Sequence, residues 1–280
     1  MGEGLVFVIL AWNAEKYLSE CLHSVCALSF CPTSVFVVDN GSTDGTAEIL
    51  SRVQRENEGK IHVLSLSRNT GTTLSRNRIL RDIPDDTGWV CVLDADTVVN
   101  ESAIKKLIEA LRADENALLS CPRMWNEQDV EQISCKRFPS IFGKICKAIP
   151  LETAKKKGER LEKYPFSLDP NSVGRPPVSP DTGIYPVDYG ISACWMLKRK
   201  AIDEIGLLDE RIFYSPEDVD YCVRIRCAGY GILFVSGASI YHMTQRLSHK
   251  KFFSRITFSH LKGLFYFFRK HRVFLKNLKE

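Results

Sequence analysis

The sequence predicts an α/β fold, a mixed and mainly parallel central sheet flanked by helices. Three observations carry this. Short apolar runs at 5–10, 35–38, 61–66 and 89–93 alternate with helical patterns, the spacing of βαβ units. Each run ends in polar or glycine residues, so functional side chains collect along one rim, where parallel sheets bind ligands. The chain has 280 residues, 44% of them hydrophobic, enough for one large core or two small ones.

The first run, 5–10, leads through Ala11-Trp12-Asn13 into a helical pattern with Leu18, Leu22 and Val25. The second closes on Asp39-Asn40-Gly41-Ser42-Thr43-Asp44-Gly45-Thr46 before a helix holding Ile49, Leu50 and Val53. Asn69-Thr70-Gly71 and Arg76-Asn77 follow the third. The fourth, Trp89-Val90-Cys91-Val92-Leu93, stops abruptly at Asp94-Ala95-Asp96. Strand alternation sends residues i and i+2 the same way, so Asp94 and Asp96 converge if that geometry persists. Two unpaired anions share one spot only at a cost, which a hard divalent cation such as Mg²⁺ or Mn²⁺ removes. The competing reading is a pair of turn and N-cap aspartates before the helix at 101–111. A GxGxxG turn after the first strand and a P-loop are both missing, which argues against a dinucleotide or P-loop site.

A strand is expected at 117–121, after which 122–186 shows no clean periodicity apart from a solvated helix at 155–163 and a proline-rich stretch at 169–186. That region reads as an excursion over the active-site face or as a plain surface insertion. Strand character returns at 187–197, and 199–205 is a short helix stopped by Gly206. Ser215-Pro216 suits a helix start, placing Glu217 and Asp218 in a first turn where the macrodipole favours anions. Asp220 and Arg224, at i and i+4, suit an ion pair. Two short strands at 232–235 and 238–241 lead to His242, which alone would be an ordinary polar residue.

The Val38 to Thr46 segment, then Asn69-Thr70-Gly71 with Arg76-Asn77, then Asp94-Ala95-Asp96, together resemble glycosyltransferase family 2, whose nucleotide-sugar-binding fold is GT-A. The resemblance implies that Asp39 accepts a hydrogen bond from a uracil or thymine imide. Ala11, Asn13, Asn69 and Gly71 would line the donor site, with Arg76 a cation near the diphosphate. Asp94 and Asp96 would be the family's DXD, touching ribose and a metal-bound diphosphate, with His242 completing the metal shell and Arg246 and Ser248 contacting the diphosphate. The segment from Leu208-Asp209-Glu210 to Glu217-Asp218-Val219-Asp220 and Arg224 resembles the family's FDE…ED.D…R pattern, closest to the bacterial branch that includes rhamnosyltransferases; Leu208 stands where that branch has phenylalanine. By analogy Asp218 is the base and Glu217 contacts the acceptor hydroxyl, two roles that can be exchanged, and Trp195 is expected at the acceptor. Small residues at Gly190, Ser192 and Ala193 would let the backbone approach a sugar. The implied reaction is inverting, metal-dependent transfer of a sugar, rhamnose on the branch resemblance alone, from a UDP- or dTDP-linked donor to a hydroxyl of a surface glycan or lipid-linked precursor. A sugar-nucleotide pyrophosphorylase would need a glycine-rich basic loop after the first strand, and a non-catalytic member or scaffold would not need its carboxylates intact.

These readings divide the chain into a catalytic domain, 1–248, and a basic aromatic tail, 249–280. Within the domain, 1–121 is the nucleotide-sugar half, 122–186 the insertion and 187–248 the acceptor and base half. From Lys250 onward nine Lys and Arg face Glu280 alone, a net of +8, which leaves −4 for the rest of a chain whose total is +4. Interleaved phenylalanines and leucines make the tail a candidate for an anionic membrane surface. Packing on the domain or on a second subunit, as in a homodimer, competes, whereas no motif for nucleic acid accompanies the charge. Ten cysteines include no CxxC pair and read as reduced core residues. No window approaches a membrane span. The expected location is therefore cytoplasmic, peripheral at the inner face of the cell membrane.

Overall fold

The computed structural model describes residues 3–148, 152–162, 183–243 and 255–277. The first part of the chain comprises β1 (Gly4–Ala11), α1 (Leu18–Cys26), β2 (Thr33–Asp39), α2 (Thr46–Glu56), β3 (Ile61–Ser65), α3 (Thr72–Leu80) and β4 (Thr87–Asp94). After β5 (Thr97–Val98), α4 (Glu101–Ala113) and β6 (Ala117–Trp125) come β7 (Glu131–Gln132), β8 (Cys135–Lys136), α5 (Ile141–Ala148) and α6 (Glu152–Glu162). The rest holds β9 (Ile184–Pro186), β10 (Tyr189–Gly190), β11 (Cys194–Lys198), α7 (Arg199–Ile205), α8 (Glu217–Cys227), β12 (Gly231–His242), α9 (Arg255–Lys270) and α10 (Arg272–Asn277).

One sheet runs in the order β3-β2-β1-β4-β11-β6-β12-β5. Its first four strands are parallel, as predicted, and their register sets the rim: Ala11 lies beside Asp39, and Leu10 beside Asp94. β11 enters antiparallel to β4, with Cys194 opposite Leu93. β12 runs parallel to β6 and ends antiparallel to β5, with His242 opposite Thr97. That last pairing brings a residue from the end of the domain next to the Asp94-Ala95-Asp96 turn. The predicted strands at 232–235 and 238–241 are one strand, β12, whose register slips between Val235 and Ser239. The predicted strand at 187–197 is two, because the chain turns at 191–193.

Helices cover both faces. Leu18, Leu22, Leu50, Val53, Ile104 and Leu107 bury one side of the sheet beneath α1, α2 and α4. Asn100 caps α4 by accepting the Ala103 N–H, 2.9 Å. On the other side Ile79, Leu80, Ala201, Tyr221 and Phe267 join α3, α7, α8 and α9 in a second cluster. The tail thus contributes core. Its Lys270 donates to Asp209 at 2.7 Å and to Asp220 at 2.6 Å, and His271 is hydrogen-bonded to Asp220 at 2.7 Å. Asp220 also receives Arg224 at 3.1 Å, the predicted i,i+4 pair. Of the ten cysteines, all unpaired, seven are buried.

Candidate functional site

The rim assembles from the ends of β1, β2 and β4 and the loop before α3. Asp39 is 5% exposed at the end of β2, and its Oδ1 accepts the Ser42 N–H at 3.0 Å. Asn13, held at φ 49°, accepts the Thr43 N–H at 2.8 Å while its own N–H meets Ser42 Oγ at 2.9 Å, so it pins the loop around Asp39. Asn40 bridges to the next loop, donating to Asn69 Oδ1 at 3.1 Å and accepting from the Thr70 N–H at 2.8 Å. Gly71 sits at φ +89°, where a Cβ would collide with the Phe213 carbonyl oxygen, and only glycine fits that approach. Asn69 Oδ1 also accepts the Gly71 N–H at 2.9 Å. Asn13, Asn69 and Gly71 therefore shape the site by holding its loops.

Asp94, Asp96 and His242 form the second layer, with one potential ligand atom from each lying within 4.8 Å of the others. His242 Nε2 is 3.5 Å from Asp96 Oδ1, and its Nδ1 meets Gln132 Oε1 at 2.8 Å. A residue of the two-residue strand β7 thus orients the imidazole, a partner that no sequence pattern signalled. Burial draws the His242 pKa down, but the Asp96 hydrogen bond and the Asp96 and Asp94 charges outweigh it and raise it. Burial likewise raises Asp94, against the lowering pull of Arg76. Two carboxylates and an imidazole suit a divalent cation such as Mn²⁺ or Mg²⁺.

Across the cleft, α8 begins with Glu217 and Asp218. Ser192 donates to Glu217 at 3.0 Å, and Asp218 Oδ1 accepts the Val219 N–H at 2.8 Å. Burial first, then the Asp218 charge, pushes Glu217 up to about 8, with Arg76 opposing. Burial raises Asp218 too, tempered by the Val219 N–H and the cations Lys136 and Lys144. Arg76 joins the two halves: its Nη2 lies 2.5 Å from Asp94 Oδ1 and 3.2 Å from the Ser192 carbonyl, and its Nη1 lies 3.7 Å from Glu217.

Arg76 is 1% exposed and turned onto Asp94 and Glu217. Two expected contacts need correction. Ala11 is wholly buried and its carbonyl is taken by the Asn40 N–H. Trp195 is also wholly buried, donating to the Gly190 carbonyl at 2.9 Å and stacked on Tyr221, because α8 covers that face of β11; it is core, not an acceptor surface. The exposed aromatics near the carboxylates are Phe213 and Tyr214, about 40% exposed, just before Glu217. Desolvation, then the charges of Glu217, Asp94, Asp218 and Asp96, pushes the Tyr214 phenol up to about 12. Arg246 and Ser248 lie outside the described residues.

Residues 6–206 match the sequence profile of the family described as glycosyl transferase family 2. The chain belongs to that family. A relative, the N-acetylglucosaminyl-diphospho-decaprenol L-rhamnosyltransferase of Mycobacterium tuberculosis, is 26% identical over 86% of this chain and 76% of its own. Two solved structures share the fold. GalNAc-T7 with UDP, GalNAc and Mn²⁺ aligns at TM-score 0.61 and 17% identity over 87% of this chain. The mannosyltransferase PcManGT of Pyrobaculum calidifontis, with GDP-Man and Mn²⁺, aligns at 0.57 and 15% over 89%. This chain spans 44% and 59% of those two chains. The fold is therefore GT-A, and in this member of family 2 Arg76 bridges the strand-end turn to the α8 carboxylates.

Proposed function

We propose that this chain is an inverting, metal-dependent glycosyltransferase that moves a sugar from a UDP- or dTDP-linked donor to a hydroxyl of a surface glycan or lipid-linked precursor, at the cytoplasmic face of a membrane. The observation that carries the reading is the placement of Asp94, Asp96 and His242 opposite Glu217 and Asp218, with Arg76 between. Asp39 would accept the imide N–H of the base. Asp94, Asp96 and His242 would hold Mn²⁺ or Mg²⁺, which neutralises charge on the departing diphosphate. Mn²⁺ accompanies both solved neighbours named above.

Asp218 is the proposed base. It takes the proton of the acceptor hydroxyl as that oxygen bonds to the anomeric carbon, and the carbon–oxygen bond to the diphosphate breaks with its electron pair leaving on the nucleotide. The surroundings favour this assignment: burial and the Asp218 charge raise Glu217 to about 8, while the Val219 N–H and the cations Lys136 and Lys144 oppose the rise at Asp218. Tyr214 and Phe213, in place of Trp195, would carry the acceptor sugar. Rhamnose is the favoured sugar, supported by the mycobacterial relative.

The test is a thermal-shift panel of nucleoside diphosphate sugars with and without Mn²⁺, since a ligand stabilises the fold in proportion to its binding, followed by Asp218→Asn. The variant should keep the donor shift and lose transfer. Full transfer by Asp218→Asn removes it as base, and the absence of any Mn²⁺-dependent shift removes the donor reading.

A further inference from the structure

We propose that the outward faces of α5 and α9 form one apolar and basic rim beside Asp218, and that this rim docks on an anionic lipid bilayer. The proposal gives the membrane placement above a defined surface, and it does not depend on which donor the site takes.

The outward face of α9 is inverted relative to an ordinary surface helix. Phe258, Leu261 and Phe265 are 73%, 60% and 73% exposed, at spacings of three and four that put them on one face. Exposed Lys262 and Arg269 continue the same stripe, Arg272 follows on α10, and residues 255–277 contain no Asp or Glu. The opposite face is occupied: Phe267 is in the core, Tyr266 and Lys270 bind Asp209, and Lys270 and His271 bind Asp220. The three exposed side chains are thus not a core face waiting for the domain, because the domain already holds the other side. A helix with large apolar groups between outward cations, and no outward anion, has the composition of an interfacial membrane helix.

On α5, Ile141, Phe142 and Ile145 are 58%, 52% and 53% exposed, again on one face, while Cys146 turns inward. Two contacts and one charge influence place the two helices around the same turn. A Cβ on Gly263 of α9 would strike the Ser215 carbonyl, so the α9 backbone presses on the residue two places before Glu217. The Lys144 charge of α5 acts both on Asp218 and on His260 of α9. Phe138, just before α5, meets Phe274 of α10 edge to face at 5.7 Å.

Charge complementarity selects the occupant. Six exposed large apolar side chains with Lys262, Arg269 and Arg272 match anionic headgroups over acyl chains. A second copy of this chain would set the same cations against each other across an isologous contact. Docked in this way, the protein turns its Glu217–Asp218 end toward the bilayer.

The experiment is flotation of the full chain with phosphatidylcholine vesicles, with and without phosphatidylglycerol. Three variants are compared: Phe258→Ser with Phe265→Ser, Ile141→Ser with Ile145→Ser, and Lys262→Gln with Arg269→Gln. The wild type should float only with phosphatidylglycerol. Each apolar pair should lower partitioning about ten-fold or more, and the charge pair about five-fold per cation removed. Melting without vesicles and the thermal shift with UDP and Mn²⁺ should match the wild type in all three, since none of these residues touches the cleft. Failure of the wild type to float overturns the proposal, as does an α5 pair that floats like the wild type when the α9 pair does not. A fall in sedimentation mass with unchanged flotation assigns the face to self-association and also overturns it. Loss of the UDP shift in the wild type counts against the donor reading alone and leaves the flotation result standing.

Discussion

Replacing Arg76 by Met tests the centre of the site. The side chain is 1% exposed and lies 2.5 Å from Asp94 and 3.7 Å from Glu217, so its loss leaves two carboxylates facing each other without a cation. Removing one member of a buried charge network costs about 3–5 kcal/mol, which for a chain of this size lowers the melting temperature on the order of 10 °C. The pH dependence follows from the directions of the shifts. Asp94 is already raised and Glu217 stands at about 8, and Arg76 pulls both down, so both rise further without it. A carboxyl raised in the folded state binds more protons there than in the unfolded chain, so stability falls as pH climbs from the ordinary carboxylate range through the folded value. The penalty should therefore grow as pH rises through the Glu217 value of about 8, where the wild type gives up a proton that the variant still holds, and shrink as pH falls below it. Calorimetry of wild type and Arg76→Met across that range reads the difference directly. Arg76→Lys should recover part of the loss, and adding Glu217→Gln to Arg76→Met should recover part of it at high pH. A penalty equal at both ends of the range would show that Arg76 acts by packing alone, and would refute the electrostatic account.

Asp94→Asn and His242→Ala should both fold, yet lose the Mn²⁺-dependent part of the donor thermal shift; a metal-dependent shift of wild-type size in either would exclude that residue as a ligand. Gly71→Ala should cost about 3 kcal/mol or more, because a Cβ meets the Phe213 carbonyl, whereas Gly59→Ala, at φ +80° with nothing within 4 Å, should cost about 1 kcal/mol. Equal melting temperatures for the two would deny the close approach. Tyr214→Ala should raise the acceptor KM about ten-fold while the donor shift is unchanged, and a loss confined to donor binding would move Tyr214 to the other half of the cleft.

The parallel half was legible because its strands are short apolar runs and each ends in a polar turn, two independent signals that agree at Asp39, Asn69 and Asp94. The convergence of Asp94 and Asp96 was expected from strand alternation, but β4 ends at Asp94 and it is the turn at 95–96 that sets the second carboxylate beside the first. Arg76 was legible as important, but its direction was not. Helix α3 buries Thr72, Thr73, Ser75, Arg76 and Asn77, so no polar face marks the outward side. Trp195 misled because β11 is buried throughout, and alternation cannot say which helix covers which face; α8 supplies Tyr221 from elsewhere in the chain. Gln132 was invisible because a two-residue strand has no period, and α5 went unread because its apolar face, Ile141, Phe142 and Ile145, points outward. The tail was legible in composition but not in orientation: its cations split between Lys270, which binds core acids, and Lys262, Arg269 and Arg272, which face outward.

That split gives the fold two charge clusters with opposite responses to pH. Burial alone would raise Asp220 and Asp209, but His271 and Lys270 hold the first below its usual value, and Arg211 and Lys270 hold the second below its own. Carboxylates depressed in the folded state contribute stability above their unfolded pKa and lose it as pH falls through the folded value. The Arg76 cluster behaves the other way, gaining stability as pH falls below about 8. Acid therefore loosens the lock that holds α9 against α8 while it relaxes the strain between Asp94, Glu217 and Asp218. Because α9 presses on the turn at Ser215, two residues before Glu217, the two responses meet at one place in the chain. The turn that leads to Asp218, the proposed base, is thus pressed by a helix whose attachment to α8 relies on an ionised Asp220.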